Sequence, residues 1–141
     1  MSDFSVFMAG NAEKVGTVKY VASKRFVQNK KPVEWELQAV SSSTDEAIRK
    51  ECTKKVPIAG KRGQYNQETD TDKYIGKLCV ACTVYPNLND AELQDSYGVK
   101  SGDELLKKML LPGEYTEYKA KVMEVNGYDM SMEELVDEAK N

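Results

Sequence analysis

A signal for the start of a helix recurs along this chain and limits the folds that it can adopt. In a capping box, the side chain of the N-cap residue accepts a hydrogen bond from the third helical residue, whose own Glu side chain reaches back. Four pairs have this spacing, with the Asn as a looser variant: Ser43 with Glu46, Asn89 with Glu92, Ser101 with Glu104, and Ser131 with Glu134. The chain is therefore expected to contain several short helices.

The ends of these helices are also marked. Gly98 and Gly127 lie where a left-handed residue follows a helix, and Pro112 suits a first helical position. Together these signals predict helices near residues 44–55, 70–83, 90–97, 102–110, 112–126 and 132–140. Residues 56–69 show no such signal and are predicted to form a loop.

Two strand-like runs ahead of the helices indicate a β-hairpin. Residues 17–28 and 33–40 flank the turn-favouring Asn-Lys-Lys-Pro at 29–32. In the second run, apolar residues such as Trp35 and Leu37 alternate with polar ones, so that one face is predicted to be buried. The first run has apolar residues in both phases, which leaves open a bulge or burial on both faces. A lone hairpin is not stable, so helices must cover it.

The expected fold class is therefore α+β, an N-terminal β-hairpin packed against a bundle of several short α-helices. A length of 141 residues suits a single domain, 1–141, with residues 1–16 as a flexible N-terminal segment. The longest apolar-leaning stretch without charge, residues 78–88, is too short to cross a bilayer. The first residues lack the basic and apolar regions of a secretion signal, so reduced thiols in a cytoplasm are the expectation.

The chain contains no His, which removes the usual general base and the commonest metal ligand. Triad hydrolases and His-based zinc sites are thereby excluded, and we expect no catalysis, no cofactor and no metal. Residues 1–62 carry a net charge of +5 and residues 63–141 a net charge of −8. Basic residues in the first half alternate with Glu, so nucleic-acid binding is not expected. Gly60-Lys61-Arg62-Gly63 lacks the spacing of a phosphate loop and is predicted to be a basic surface loop that an acidic partner could use.

Cys79 and Cys82 have the spacing of a redox pair or half a zinc site. A redox pair needs a helix N-terminus to stabilise its thiolate, whereas this helix is predicted to begin about two turns earlier. Together with Tyr74 and Leu78, the two Cys fall on one helical stripe, which favours burial in the core. A thiol enzyme or zinc module remains the less favoured alternative.

The helix predicted from Pro112 carries an apolar seam, whose residues are spaced by 4, 3, 4 and 3 positions. Such a seam packs one helix along another. It has two open uses: closing the protein's own core, or accepting a helix of a partner. The residues of the seam, and the candidate partner-binding residues, are Leu111, Tyr115, Tyr118, Val122 and Val125. Four Met lie in the same region, where flexible thioethers adapt to varied apolar surfaces: Met109, Met123, Met130 and Met132.

Five stretches of the chain are long and distinctive: NAEK at 11–14, VKYVASKRF at 18–26, RKECTKK at 49–55, PNLNDAELQDSYG at 86–98 and LLPGEY at 110–115. Together they resemble the XkdN-like tail assembly chaperones of phages and PBSX-like defective prophages of Gram-positive bacteria. The resemblance implies a non-enzymatic chaperone that binds the tape measure protein, keeps it soluble and helps to recruit tail tube subunits. It also implies action in the host bacterial cytoplasm and absence from the mature virion. A structural tail component, such as a tube or terminator protein, is the alternative.

Chaperones of this kind often occur in a second, longer form made by a programmed frameshift, which the resemblance implies as the route to the tail tube protein. The codons for Ala139-Lys140-Asn141 can contain the slippery heptamer A-AAA-AAC in the correct phase. A homo-oligomer is a further open expectation. No family motif fixes the binding residues, so the seam is a hypothesis from periodicity alone.

Overall fold

The computed structural model describes residues 4–128. A short 3-10 helix, Phe4–Phe7, precedes seven strands and five helices. The strands are β1 (Val18–Tyr20), β2 (Val27–Gln28), β3 (Lys31–Pro32), β4 (Trp35–Leu37), β5 (Thr53–Pro57), β6 (Tyr65–Thr69) and β7 (Thr83–Tyr85). The helices are α1 (Ser42–Glu51), α2 (Thr71–Cys82), α3 (Ala91–Ser96), α4 (Gly102–Met109) and α5 (Pro112–Val125). The predicted α+β class is confirmed.

Five of the six predicted helices are present at the predicted places. The helix expected at 132–140, with its Ser131–Glu134 capping box, and Met130 and Met132 lie outside the described residues. Gly98 and Gly127 follow α3 and α5 with φ of 70° and 93°, as predicted for residues that end helices.

The capping prediction is correct for α4, where the Ser101 hydroxyl accepts a hydrogen bond from the Glu104 amide at 3.4 Å. At the other two described helices the start lies one or two residues away from the predicted cap. The hydroxyl of Ser41 caps α1, and the carboxylate of Asp90 caps α3. Neighbouring Ser, Asn and Asp side chains all accept such bonds, so sequence spacing alone does not choose among them.

The N-terminal hairpin is confirmed, with β1 antiparallel to β4 and Tyr20 opposite Trp35. Its closing turn is shorter than predicted, because β2 pairs with β3 across only two residues. Asn29 and Lys30 both have positive φ, 53° and 66°, which is the backbone twist of a tight hairpin turn.

The loop predicted in the middle of the chain is wrong, and two of the helices end earlier than predicted. Residues 56–69 are not a loop, since β5 and β6 form a second antiparallel hairpin, and α1 ends at Glu51 because β5 follows at once. The second helix ends at Cys82 rather than residue 83, because β7 pairs with β4 and completes a three-stranded sheet in the order β1-β4-β7. That pairing joins residues more than 40 positions apart, which local sequence signals do not report.

The core lies between the inner face of this sheet and helices α2, α4 and α5. Trp35 and Leu37 project from the central strand and are buried, as the alternating pattern predicts. The Trp35 ring meets the Tyr118 ring edge-on at 5.4 Å between centroids. Helix α2 is central to the helical layer and packs against α1, α4 and α5. Within residues 4–128, none of the helices has the length and apolar character needed to span a membrane.

Candidate partner-binding surface

Helix α5, which carries the predicted seam, is fixed at its start by polar contacts. The Leu111 amide donates a hydrogen bond to the Glu114 carboxylate at 2.8 Å. That bond, together with Ser23 and the positive charge of Arg25, lowers the pKa of Glu114. The first turn of α5 thereby gains a stabilised negative charge, which complements the helix dipole.

Two residues of the seam are fully buried. Tyr118 is 0% exposed and Val122 is 1% exposed. The Thr83 hydroxyl donates to the Cys79 carbonyl at 2.7 Å, so the Tyr118 hydroxyl donates to Thr83, at 2.5 Å. Burial raises the pKa of Tyr118 well above its ordinary value. These two side chains therefore serve the protein's own core, the first of the two uses that the sequence left open.

The remaining seam residues lie nearer the surface. Tyr115 and Val125 are partly buried against the core, whereas the Leu111 side chain is 53% exposed. Burial, followed by the nearby Cys79 and Asp103, raises the pKa of Tyr115 to about 12. Partner binding by the seam stays a prediction, and Leu111 is its residue with the most accessible side chain.

Several exposed apolar side chains also cluster at residues 4–8, which we call the N-terminal apolar segment. Phe4 is 75% exposed and Phe7 81% exposed, and Val6 and Met8 are also exposed. The segment is held in shape by local hydrogen bonds, including one from the Asn11 side chain to the Ser5 carbonyl at 2.9 Å. The segment was not predicted from the sequence, although four apolar side chains within five residues, without a helical stripe, mark it.

A second accessible apolar patch lies at the edge of the main sheet. Among residues 4–128, β7 pairs with β4 along one edge only, and its Val84 and Tyr85 are exposed. The residue pairing places Tyr85 beside Glu36, on the face of the sheet opposite the buried Trp35 and Leu37. The protein thus presents apolar side chains on several separate surfaces.

The two motif cysteines lie in the core, which confirms the interpretation drawn from the helical stripe. Cys79 and Cys82 are each 0% exposed. Burial raises the pKa of the Cys79 thiol to about 12, and it raises that of Cys82 despite a hydrogen bond that Cys82 accepts from the Asn126 amide. A neutral thiol is a poor nucleophile and a poor metal ligand. In the part of the chain that the structure describes, His, Cys, Asp and Glu form no group suited to a metal ion.

Comparison with known proteins points to one family. The model of the phage XkdN-like tail assembly chaperone proteins matches residues 4–140. Two proteins of Bacillus subtilis (strain 168) are similar over 99% of this chain: YqbN, at 33% identity and 93% of its own length, and the XkdN protein of the phage-like element PBSX, at 29% identity and 94% of its length. A crystal structure of the protein YqbN superposes with a TM-score of 0.77 at 27% identity, covering 92% of this chain and 99% of that chain. A family match over nearly the whole length, with the same fold, means that this chain belongs to the phage XkdN-like tail assembly chaperones.

Proposed function

We propose that this chaperone binds the tape measure protein while the phage tail is assembled and keeps it in solution. The binding takes place in the host bacterial cytoplasm, and the chaperone leaves before the virion matures. A longer, frameshifted form brings in the tail tube protein. The residues that would encode the frameshift lie outside the described part of the chain.

The observation that carries the proposal is the exposed apolar surface of a protein from a chaperone family. The large exposed side chains of Phe4 and Phe7 are clustered within a few residues, which is unusual unless a partner covers them. A client whose helices carry long apolar stripes would cover them, because an apolar helix face packs on an apolar surface. The same contact would shield the stripes of the client from aggregation. Leu111, at the start of α5, adds an accessible apolar side chain from the predicted seam.

The chemistry of the described residues favours binding over catalysis. The buried thiols of Cys79 and Cys82 are held in the neutral form, and the chain has no His. The buried hydroxyl of Tyr118 is hydrogen-bonded to the Thr83 hydroxyl. We therefore propose that the protein acts through its contact surfaces alone and makes or breaks no covalent bond.

Co-expression with the tape measure protein of the same tail tests this proposal. The wild type should shift the tape measure protein into the soluble fraction and be recovered with it by pull-down. The double variant Phe4→Ser, Phe7→Ser should lose this effect, and Leu111→Asp should weaken it. Val27→Ser, at a position that is also exposed and apolar but lies in β2, is the matched control and should retain the effect.

The possible outcomes distinguish the proposed function from the choice of the binding surface. A wild-type protein that leaves the tape measure protein insoluble contradicts the proposed function. Full activity of the double Phe variant contradicts the choice of the N-terminal apolar segment alone. Mass spectrometry of purified particles supplies a further check, because an abundant chain there would favour a structural tail component instead.

A further inference from the structure

Four exposed basic side chains meet where the N-terminal hairpin touches the end of α4, and we call them the basic corner: Lys24, Arg25, Lys107 and Lys108. The first two belong to the connection between β1 and β2, and the last two lie in the final turn of α4. The Arg25 guanidinium donates a hydrogen bond to the carbonyl of Met109, which directly follows Lys108. This contact brings the two pairs of cations to one place on the surface.

The connection that carries Lys24 and Arg25 is anchored to the core. The Arg25 guanidinium lies over the Phe26 ring, 5.4 Å from its centroid, and the Arg25 amide donates to the Ser23 hydroxyl at 3.2 Å. Ser23 is 2% exposed, and the Phe26 ring lies 6.2 Å from the buried ring of Trp35. The basic corner therefore has a defined shape.

The basic corner carries more positive charge than the local structure requires. A cation near a helix C-terminus stabilises the unpaired carbonyls there, and Arg25 supplies that contact at α4. Lys24 belongs to no helix, and Glu104, one helical turn before Lys108, forms no ion pair with it. None of the ion pairs within residues 4–128 involves a member of the basic corner. The like charges repel one another, so this surface is suited to an anionic partner.

An exposed apolar side chain lies beside the basic corner. Leu111 follows Met109 by two residues, and its side chain is 53% exposed. The Glu114 carboxylate accepts a hydrogen bond from the Leu111 amide at 2.8 Å and also interacts with Ser23 and with the positive charge of Arg25. Leu111 and the basic corner thus form one continuous surface, which combines an apolar contact with positive charge.

We propose that the basic corner and Leu111 bind a helical segment of the client whose apolar stripe is flanked by Asp and Glu. The stripe packs on Leu111, and the acidic side chains lie against Lys24, Lys107 and Lys108. This inference rests on the proposed function and deepens it, because it states the chemistry of the client segment. Its test uses a designed peptide as well as the client, so that the two ideas can fail separately.

The same surface is poorly suited to nucleic acid. A phosphate backbone carries a negative charge at every nucleotide, and it would meet the Glu114 carboxylate and leave Leu111 without an apolar partner. A helix separates the two kinds of contact, since residues three and four positions apart share a face. Its apolar side chains can lie beside Leu111 and Glu114 while its carboxylates reach the lysines. The charges and the exposed apolar side chain together favour an acidic amphipathic helix.

Fluorescence anisotropy with designed peptides tests the proposal. The first peptide, of about 18 residues, is long enough to form a helix and carries Leu at helical spacing with Glu on both flanks. The second has Gln in place of every Glu. The wild type should bind the Glu peptide with a dissociation constant on the order of 10–100 µM and the Gln peptide about tenfold more weakly. Raising NaCl from about 0.1 M to about 1 M shortens the screening length from about 10 Å to about 3 Å and should remove most of this difference.

Charge variants locate the binding. Lys24→Glu, Lys108→Glu should lose the preference for the Glu peptide and favour a peptide with Lys in place of Glu. Lys73→Glu, Lys100→Glu makes the same charge change at two other exposed lysines and should bind like the wild type. Glu114→Gln keeps an acceptor for the Leu111 amide but removes a like charge, so it should bind the Glu peptide about two- to fivefold more tightly. Circular dichroism checks that each variant is folded.

The client itself supplies a second readout. In co-expression, Lys24→Glu, Lys108→Glu should leave less tape measure protein in solution than the wild type or the control variant. Equal binding of the Glu and Gln peptides, an unchanged Glu preference or full solubilisation by the double variant, or tighter binding of single-stranded oligothymidylate than of the Glu peptide would each overturn the inference. A wild type that binds the Glu peptide as expected but leaves the tape measure protein insoluble supports the surface and contradicts the proposed function.

Discussion

The burial of Val122 gives the most direct test of how the α5 seam is used. Its side chain is 1% exposed and belongs to the core cluster that contains Trp35 and Tyr118. Val122→Ala removes the equivalent of two methyl groups, with a loss of about 1.6 kcal/mol of transfer free energy at about 0.8 kcal/mol each. The cavity left behind adds to this loss, because a packed core relaxes only in part. We expect the free energy of unfolding to fall by about 2–3 kcal/mol.

Urea unfolding followed by tryptophan fluorescence measures this change. Trp35 is the single Trp of the chain, and its ring lies 5.4 Å from that of Tyr118, so the signal reports the same core. The midpoint should move while the slope with urea stays unchanged, which indicates a loss of stability and not of cooperativity. Leu111→Ala, at the exposed end of the same seam, is the matched control and should change stability by less than about 0.5 kcal/mol.

Two outcomes would contradict this account of the α5 seam. If Val122→Ala stays within about 0.5 kcal/mol of the wild type, its side chain does not fill the core. If Leu111→Ala destabilises the protein as much as Val122→Ala, the two ends of the seam share one environment. Either result would return the whole seam to consideration as a partner surface.

Three further predictions concern other parts of the structure. Because burial raises the pKa of Cys79 to about 12, a thiol reagent at neutral pH should modify it only as fast as the protein unfolds, and rapid reaction of the native protein would contradict its placement. The lowered pKa of Glu114 means that the unfolded chain binds more protons near the ordinary value of 4.5. The Glu114 carboxylate therefore contributes to stability above that pH, and this contribution is lost as the pH falls through the lowered native pKa. We expect the free energy of unfolding of Glu114→Gln to depend less on pH in that range than that of the wild type. Gly102→Ala would place a Cβ 2.8 Å from a methyl carbon of Val80 and should destabilise the protein by about 1–3 kcal/mol. Gly113→Ala, whose Cβ would have no atom within 4 Å, should be neutral or stabilising. Thermal unfolding measures both changes.

The sequence predicted the helices well because their signals are local. Ser101 caps α4, Pro112 begins α5, and Gly98 follows α3 as predicted. Each of these depends on a few neighbouring residues and their backbone preferences, which tertiary contacts did not override. The alternating pattern around Trp35 and Leu37 also predicted correctly which face of β4 is buried.

The second hairpin, formed by β5 and β6, was not predicted because its strands lack the pattern that identifies most strands. A ribbon exposed on both faces has no apolar face, so Lys55, Gln67 and their neighbours show no alternation. The N-terminal apolar segment was missed for a related reason, since exposed apolar residues at Phe4–Phe7 follow no period that indicates a fold. Both features concern surfaces, and the signals used for prediction report burial.

By itself, the sequence determined that α5 carries an apolar seam and that Cys79 and Cys82 lie on a helical stripe. Which residues cover these faces is visible only in the folded chain. Pairing of β7 with β4 brings Thr83 to Tyr118, and the Tyr20 and Trp35 rings of the sheet lie against the Tyr118 ring. Val122 is buried in the same core, whereas Leu111 stays exposed. The physical reason is that periodicity fixes which side chains share a face, whereas the partner of that face depends on contacts between residues far apart in the chain.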